Sequence, residues 1–381
     1  MMAPSALASG STHQKVTILA VFALVIYSTY HFLTFYGLPT HVTSHESTAS
    51  AVEFHVHPSR LPPPPLPQGG GLPVLELDLP LLTDIPAPYY PNVVPPIVHY
   101  VMSMGEGDPR PLQYFQYLAI RSALKNLRPR LVLIHHRPGA APHGPWWDLL
   151  APYVTLSPIT PPEEVFGIPV IHYAHKADVV RMQVMLQLGG VYLDQDTFVI
   201  RSFDDAGLFT EPTVLGMEAD PYAEKMEWEP GGLCNAIIVA KPGASFLQRW
   251  FATYRTFNES GHEWAEHSVA MPWELALTYP QEVTVLNSRA MFYPLWSKSD
   301  VKRVHEPSST GLRGGGWDFS ASRQLAYHAW ESVSLPYLER LTPTSVARGA
   351  SSFARMAQAF MGPEDRRIER QLAMAEELTG R

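Results

Sequence analysis

Two aspartates, Asp194 and Asp196, close the apolar run Val191-Tyr192-Leu193, which itself follows the pair Gly189-Gly190. In an extended chain residues i and i+2 point to the same side, so both carboxylates can converge on one point. Close carboxylates repel each other unless a proton or a cation lies between them. A divalent ion that prefers oxygen ligands, Mn²⁺ or Mg²⁺, resolves that repulsion. Such an ion keeps positions open for phosphate oxygens and stabilises a departing phosphate. Asp194 and Asp196 are therefore read as metal ligands and catalytic residues. A bare D-x-D pair on a solvated loop carries little meaning; this one gains it from what precedes it.

Upstream, Tyr173 to Leu188 reads as a helix that is apolar nearly all round, with Lys176, Gln183 and Gln187 forming one narrow polar stripe. Asp178 and Arg181 fall outside that stripe, spaced i, i+3 and able to touch. Charges in such a place cost several kcal/mol unless compensated. Either they form a plain intrahelical ion pair, or they face a polar ligand cleft. In the second case Arg181 meets phosphate or sugar oxygens and Asp178 a hydroxyl. The glycine pair then lets the helix stop and the chain turn sharply into the strand that delivers Asp194 and Asp196.

The elements that must hold these groups alternate. Strands are predicted at 94–102, 131–135, 153–156, 191–193, 197–200, 213–218, 233–240 and 283–287. Helices are predicted at 113–127, 173–188, 244–257 and 267–279, followed by a helical C-terminal tail. Alternation of this kind predicts an α/β domain with a mainly parallel central sheet, whose ligands bind at the carboxyl ends of the strands. The 381 residues are 46% hydrophobic and 17% charged, enough for one large core. A formal charge of -8 argues against a nucleic-acid protein, which carries a basic face for phosphates. One cysteine, Cys234, excludes an intramolecular disulfide and a multi-cysteine zinc site.

The N-terminal region reads differently. Residues 1–15 form a short tail ending in Lys15, and Val16 to Leu38 contains no Asp, Glu, Lys or Arg. As a helix those residues would run roughly 34 Å, enough to span a bilayer core of about 30 Å. The reading preferred over a cleaved signal peptide or a buried helix is a single-pass anchor with the tail cytosolic and the body lumenal. Residues 39–92 read as a stem, since 13 of the 37 prolines fall between Pro58 and Pro96 and favour extended, semi-rigid backbone. The catalytic domain is expected at 93–345 and the helical tail at 346–381. Asn258-Glu259-Ser260 is a glycosylation acceptor sequence, usable only in the lumen. The run His262 to His267 resembles a zinc-protease helix only superficially, because its histidines are i, i+5 and leave the shared face. Trp146-Trp147 is read as core, and Gly311 to Gly316 as a mobile loop able to act as a lid.

The stretch from His172 to Phe203, with Lys176, Asp178, Arg181, Gly189, Gly190, Tyr192, Asp194 and Asp196, resembles a DXD-containing glycosyltransferase family. That family includes fungal α-1,6-mannosyltransferases and inositol-phosphoceramide mannosyltransferases; Ala177 replaces its small serine. The resemblance implies a GT-A-type nucleotide-sugar-binding fold and retention of anomeric configuration. It also implies that Asp178 and Arg181 contact the donor and that Tyr192 lies near the nucleotide. Asp194 would reach the ribose or sugar, and Asp196 the metal. Two further matches extend it. Leu233 to Ile238 places Asn235 among the donor-binding residues, toward the acceptor side. Tyr327-His328-Ala329-Trp330 makes His328 a late metal or diphosphate ligand. The segment His267 to Leu277 departs from several relatives, which leaves specificity open.

The expected function is thus a metal-dependent hexosyltransferase of the Golgi membrane, single-pass type II. It would use a nucleotide-sugar donor, GDP-mannose first and UDP-hexose second, and a glycan or glycolipid acceptor. The alternatives are a non-catalytic glycan-binding or partner subunit with the same fold, and an Asp-nucleophile phosphatase. The phosphatase needs Thr or Val four residues beyond its nucleophile, where Phe198 stands.

Overall fold

A computed structural model of the chain describes residues 93–221, 231–259, 264–307 and 316–379, together with 53–54 and 75. The expected membrane anchor at 16–38, the expected stem at 39–92 apart from 53–54 and 75, residues 311–315 of the expected lid at 311–316, and Ser260 of the glycosylation sequence lie outside those residues. No helix among the described residues is long and apolar enough to cross a membrane.

Seven strands make the central sheet. They are β1 (Ile97–Met102), β2 (Leu131–His136), β3 (Thr155–Pro158), β4 (Gly190–Leu193), β6 (Thr213–Glu218), β7 (Gly232–Ala240) and β8 (Thr284–Leu286). Their spatial order is β8-β6-β7-β4-β1-β2-β3, with the two residues Glu53–Phe54 pairing antiparallel on the outer edge of β8. All run parallel except β7, which is antiparallel to both of its neighbours. The α/β class and the mostly parallel sheet therefore match the expectation from the strand pattern. The reversal of β7 was not anticipated. All nine of its residues are buried, and a strand covered on both faces carries the same apolar run whichever way it points.

Two hydrophobic clusters lie on the two sides of this sheet. One gathers helix α1 (Tyr114–Asn126) with Phe198, Phe292, Tyr327 and Phe353; the other gathers helix α2 (Tyr173–Leu188) with helix α3 (Ser245–Thr253). Trp146 and Trp147 pack into the first cluster as expected. The helix predicted at 173–188 has those bounds, and nine of its residues are buried, Asp178 and Arg181 among them. Other boundaries moved. Pro95 and Pro96 delay β1 to Ile97, and residues 151–153 form a 3₁₀ turn before β3. The helix expected from 267 begins as a π turn over Glu266–Ala270.

Inside the sheet, adjacent strands place a line of polar groups. His99 Nε2 lies 2.9 Å from the Gly189 carbonyl, His99 Nδ1 lies 3.0 Å from His135 Nε2, and His135 Nδ1 lies 2.9 Å from Ser157 Oγ. A carbonyl only accepts, so neutral rings fix every proton: Ser157 donates to His135, His135 to His99, and His99 to Gly189. Burial pushes the His99 imidazole down to about 4, against a smaller opposing effect of the Gly189 carbonyl, and holds His135 well below its ordinary range. This line ends on the carbonyl that caps α2, just before the site.

Candidate active site

The turn from α2 into β4 is possible only with glycine. Gly189 has φ +62°, and a Cβ there would lie 2.6 Å from the Pro242 ring. Gly190 has φ +107°, and its Cβ would lie 2.4 Å from the Ile97 carbonyl oxygen. The close approach lets β4 pair with β1, aligning Tyr192 with His99. Asp194 and Asp196 follow the carboxyl end of β4, as expected, but in a turn closed by the Thr197 amide on the Asp194 carbonyl at 2.9 Å rather than in the extended chain that the i, i+2 reading assumed.

A second, short sheet supplies the opposite wall. β5 (Thr197–Val199) pairs antiparallel with β9 (Ala326–His328), which brings His328 opposite Thr197. His328 Nε2 lies 3.2 Å from Asp196 Oδ1 and 3.9 Å from Asp194 Oδ2. Helix α4 (Glu331–Leu338) follows at once, and the Glu331 amide donates to Asp196 Oδ2 at 2.7 Å.

Asp194, Asp196 and His328 each offer one ligand atom, all within 4.8 Å of one another. The remaining atoms of both carboxylates are engaged. Asp194 Oδ1 accepts from the Tyr192 hydroxyl at 2.7 Å and faces Arg181 Nη1 at 3.1 Å. That leaves Asp194 Oδ2, Asp196 Oδ1 and His328 Nε2 turned toward one another, a two-oxygen, one-nitrogen set suited to Mn²⁺ or Mg²⁺. His328 Nδ1 is buried without a hydrogen-bond partner, so the support that usually orients a metal-binding histidine is missing on that side. Burial pushes the His328 imidazole down, but Asp196 and Asp194 outweigh it and hold the ring above its ordinary value. Burial works against the Asp196 carboxylate, yet His328 and the Glu331 amide keep it below the usual range. Asp194 is raised by its burial, with Arg181 and His328 pulling the other way. The local field demands positive charge between the two aspartates.

Arg181 is held from several sides. Its Nη1 donates to both the backbone and side-chain oxygens of Asn235 at 2.9 Å, and its Nη2 lies 3.2 Å from Asp178 Oδ1. The guanidinium also stacks 4.6 Å above the Tyr192 ring. Asn235 Nδ2 completes the ring by donating to Asp178 Oδ1 at 2.8 Å. The ion-pair reading of the Asp178–Arg181 spacing is realised, and of the cleft reading only the Arg181 half: Arg181 lines the cleft, whereas Asp178, expected to contact the donor, does not. Asp178 stands behind it, lining a separate small cavity.

The cleft encloses about 700 Å³ and is lined by Arg181, Tyr192, Asp194, Asp196 and His328, with the loop after β1 on one side and α4 on the other. Asn235 reaches it only through Arg181. Every site residue expected from sequence, Asp178, Arg181, Tyr192, Asp194, Asp196, Asn235 and His328, falls in one connected network. Sequence reasoning missed Glu331. Burial and the two aspartates push its carboxyl up to about 7, and Gln195 Nε2 donates to it at 3.4 Å. An acid at the start of a helix was the only available signal, and such residues are common.

Residues 161–213 match the model of a family described as "Glycosyltransferase sugar-binding region containing DXD motif". Glucan organizing enzyme 1 of Cryptococcus neoformans var. grubii serotype A is 45% identical over 289 residues, covering 74% of this chain and 75% of that protein. The chain belongs to the DXD glycosyltransferases. The solved structures to which this glycosyltransferase is remotely similar include two enzymes that span most of it. The galactosyltransferase LgtC, in complex with donor and acceptor sugar analogues, is 16% identical with a TM-score of 0.36, covering 71% of this chain and 99% of that one. The bifunctional glycosyltransferase WbbM is 11% identical with a TM-score of 0.39, covering 74% and 52%.

Proposed function

We propose that this glycosyltransferase moves a hexose from a nucleotide diphosphate sugar onto a hydroxyl of a glycan, with Mn²⁺ or Mg²⁺ held by Asp194, Asp196 and His328. The observation that carries the reading is the convergence of those three ligand atoms beside a buried arginine at the mouth of a large cleft. When bound, the ion supplies charge neutralisation to the departing nucleoside diphosphate. The chain's own residues do the rest. Tyr192 and Arg181 fix one oxygen of Asp194, and the Glu331 amide fixes one oxygen of Asp196, so that the ligand set is preorganised. Arg181 is immobilised by Asp178 and Asn235 and brings a permanent positive charge to the donor's phosphate or sugar oxygens. GDP-mannose is the first choice of donor and UDP-hexose the second, with a GT-A-type fold and retention of configuration; these rest on the family resemblance alone. The acceptor could be a glycan or a glycolipid. The name of the Cryptococcus relative, a glucan organizing enzyme, favours the glycan.

The reading includes an N-terminal single-pass anchor at 16–38, on the strength of the uncharged apolar run, with the domain lumenal in the secretory pathway and the Golgi as the first choice of compartment. Protease protection in sealed microsomes tests that part.

A thermal-shift panel of nucleotide sugars, with and without Mn²⁺, tests the chemistry on the full chain and on Asp196→Ala. A stabilisation specific to one donor, dependent on Mn²⁺ and lost in the variant, is the expected result. No stabilisation by any donor in Mn²⁺ overturns it.

A further inference from the structure

Three large apolar side chains are left in water on one side of the site. Ile171 is 79% exposed, Tyr173 59% and Trp264 57%. They are one surface. The His172 ring lies 4.3 Å from that of Tyr173 and 4.7 Å from that of Trp264, and the His175 ring lies 4.2 Å from Trp264. The backbone beneath is pinned, because the Glu259 carboxylate accepts from the Ile171 and His172 amides at 2.9 and 2.6 Å. Clustered and exposed apolar groups on a fixed scaffold mark a binding surface more than a folding need.

The position of this surface decides its occupant. Tyr173 lines the cleft that holds Asp194 and Asp196. Trp264 lines the small neighbouring cavity, together with Asp178 and Glu266. Asp178 is the partner of Arg181, so the two spaces share one wall, and the aromatic surface continues the active site outward. Flat aromatic faces bordered by a solvent-reached carboxylate, that of Glu266, suit a pyranose ring: its apolar face stacks, and its rim of hydroxyls donates hydrogen bonds. A lipid tail would not use that carboxylate.

We propose that the surface formed by Ile171, Tyr173 and Trp264 binds the acceptor as an extended glycan chain. One sugar ring stacks on Trp264, and the chain end is presented to the cleft. This rests on the transferase reading above and deepens it: the acceptor is a polymer gripped over more than one residue, rather than a single headgroup.

The test uses the full-length protein, Mn²⁺, the active donor, and α- and β-linked glucan oligosaccharides of increasing length. Wild type should prefer longer oligosaccharides. Trp264→Ala should raise the acceptor KM about tenfold and flatten the length dependence, while leaving the donor KM within about twofold. Trp264→Phe keeps a flat ring and should recover most of the affinity, which separates stacking from a folding defect. Transfer of the sugar to water is measured in parallel. If donor is turned over in water and Trp264→Ala leaves the acceptor KM and its length dependence unchanged, the surface is not the acceptor site and the transferase reading stands. A rise in the donor KM instead assigns the surface to the nucleotide and also overturns the proposal. If wild type turns over no donor at all, the transferase reading itself fails.

Discussion

Two sets of histidines in this enzyme, one at the cleft and one inside the sheet, have opposite electrical characters. His328 stands between two aspartates at the cleft and is held above its ordinary pKa despite burial. His99 and His135 lie within the sheet, where burial drives both downward. Burial is common to both groups, and partners make the difference. Carboxylates reward a positive ring, whereas a carbonyl, a hydroxyl and a second imidazole need only one proton per bond. The first environment favours positive charge and faces the cleft. The second fixes neutral tautomers and belongs to architecture, since its last acceptor is the Gly189 carbonyl at the turn into β4.

The contrast breaks most visibly at the cleft. Replacing His328 with Leu should lower turnover by about 10²- to 10³-fold and weaken Mn²⁺ binding, with the fold retained. Steady-state kinetics across a Mn²⁺ titration, with circular dichroism as the control, would check it. Unchanged turnover would remove His328 from the site. A smaller effect, of another kind, is expected inside the sheet. His99→Leu keeps the bulk but leaves the Gly189 carbonyl and the His135 N–H without partners, costing about 1–3 kcal/mol of stability for each group orphaned. Denaturant melts should register that cost, and the enzyme that remains folded should keep its KM for Mn²⁺. The third expectation sharpens the comparison through pH. His99 has a folded pKa of about 4 against 6.5 when unfolded, so between those values only the unfolded chain takes up the proton. Its contribution to stability is therefore complete above pH 6.5 and is lost as pH falls toward 4, at no more than about 1.4 kcal/mol per pH unit. Melting temperatures measured from pH 7 to 4 should fall less steeply in His99→Leu than in wild type.

The same two regions differ in how much of them could be read from sequence. α2 and the glycine turn into β4 were legible, an apolar helix stopped by two glycines, but the turn over residues 194–197 that carries the acid pair was not, because an i, i+2 spacing alone suggested an extended chain. Asp178 and Arg181 were also legible as charges needing compensation, and the structure supplies both a partner and a cleft. His328 was reachable only through resemblance, because nothing local says that residues 326–328 will pair with 197–199. Strand pairing between distant segments depends on packing that a linear pattern does not encode. The His99–His135–Ser157 line was invisible for that reason: its members lie on three adjacent strands, and each looks like an ordinary core polar residue. The helix at Lys298–His305 was missed because only two of its eight residues, Val301 and Val304, are buried, too few to announce a period.

The β5–β9 pairing has a consequence for how the enzyme comes into being. Asp196 and the Glu331 amide that steadies it are separated by 135 positions. A ribosome therefore delivers one half of the Asp194–Asp196–His328 cluster long before the other. Until the later strand docks, the nascent chain holds a pair of mutually repelling acids with no imidazole beside them. The full cluster is thereby tied to synthesis beyond Glu331, and a cut anywhere between the two strands would yield fragments that regain it only by reassociating.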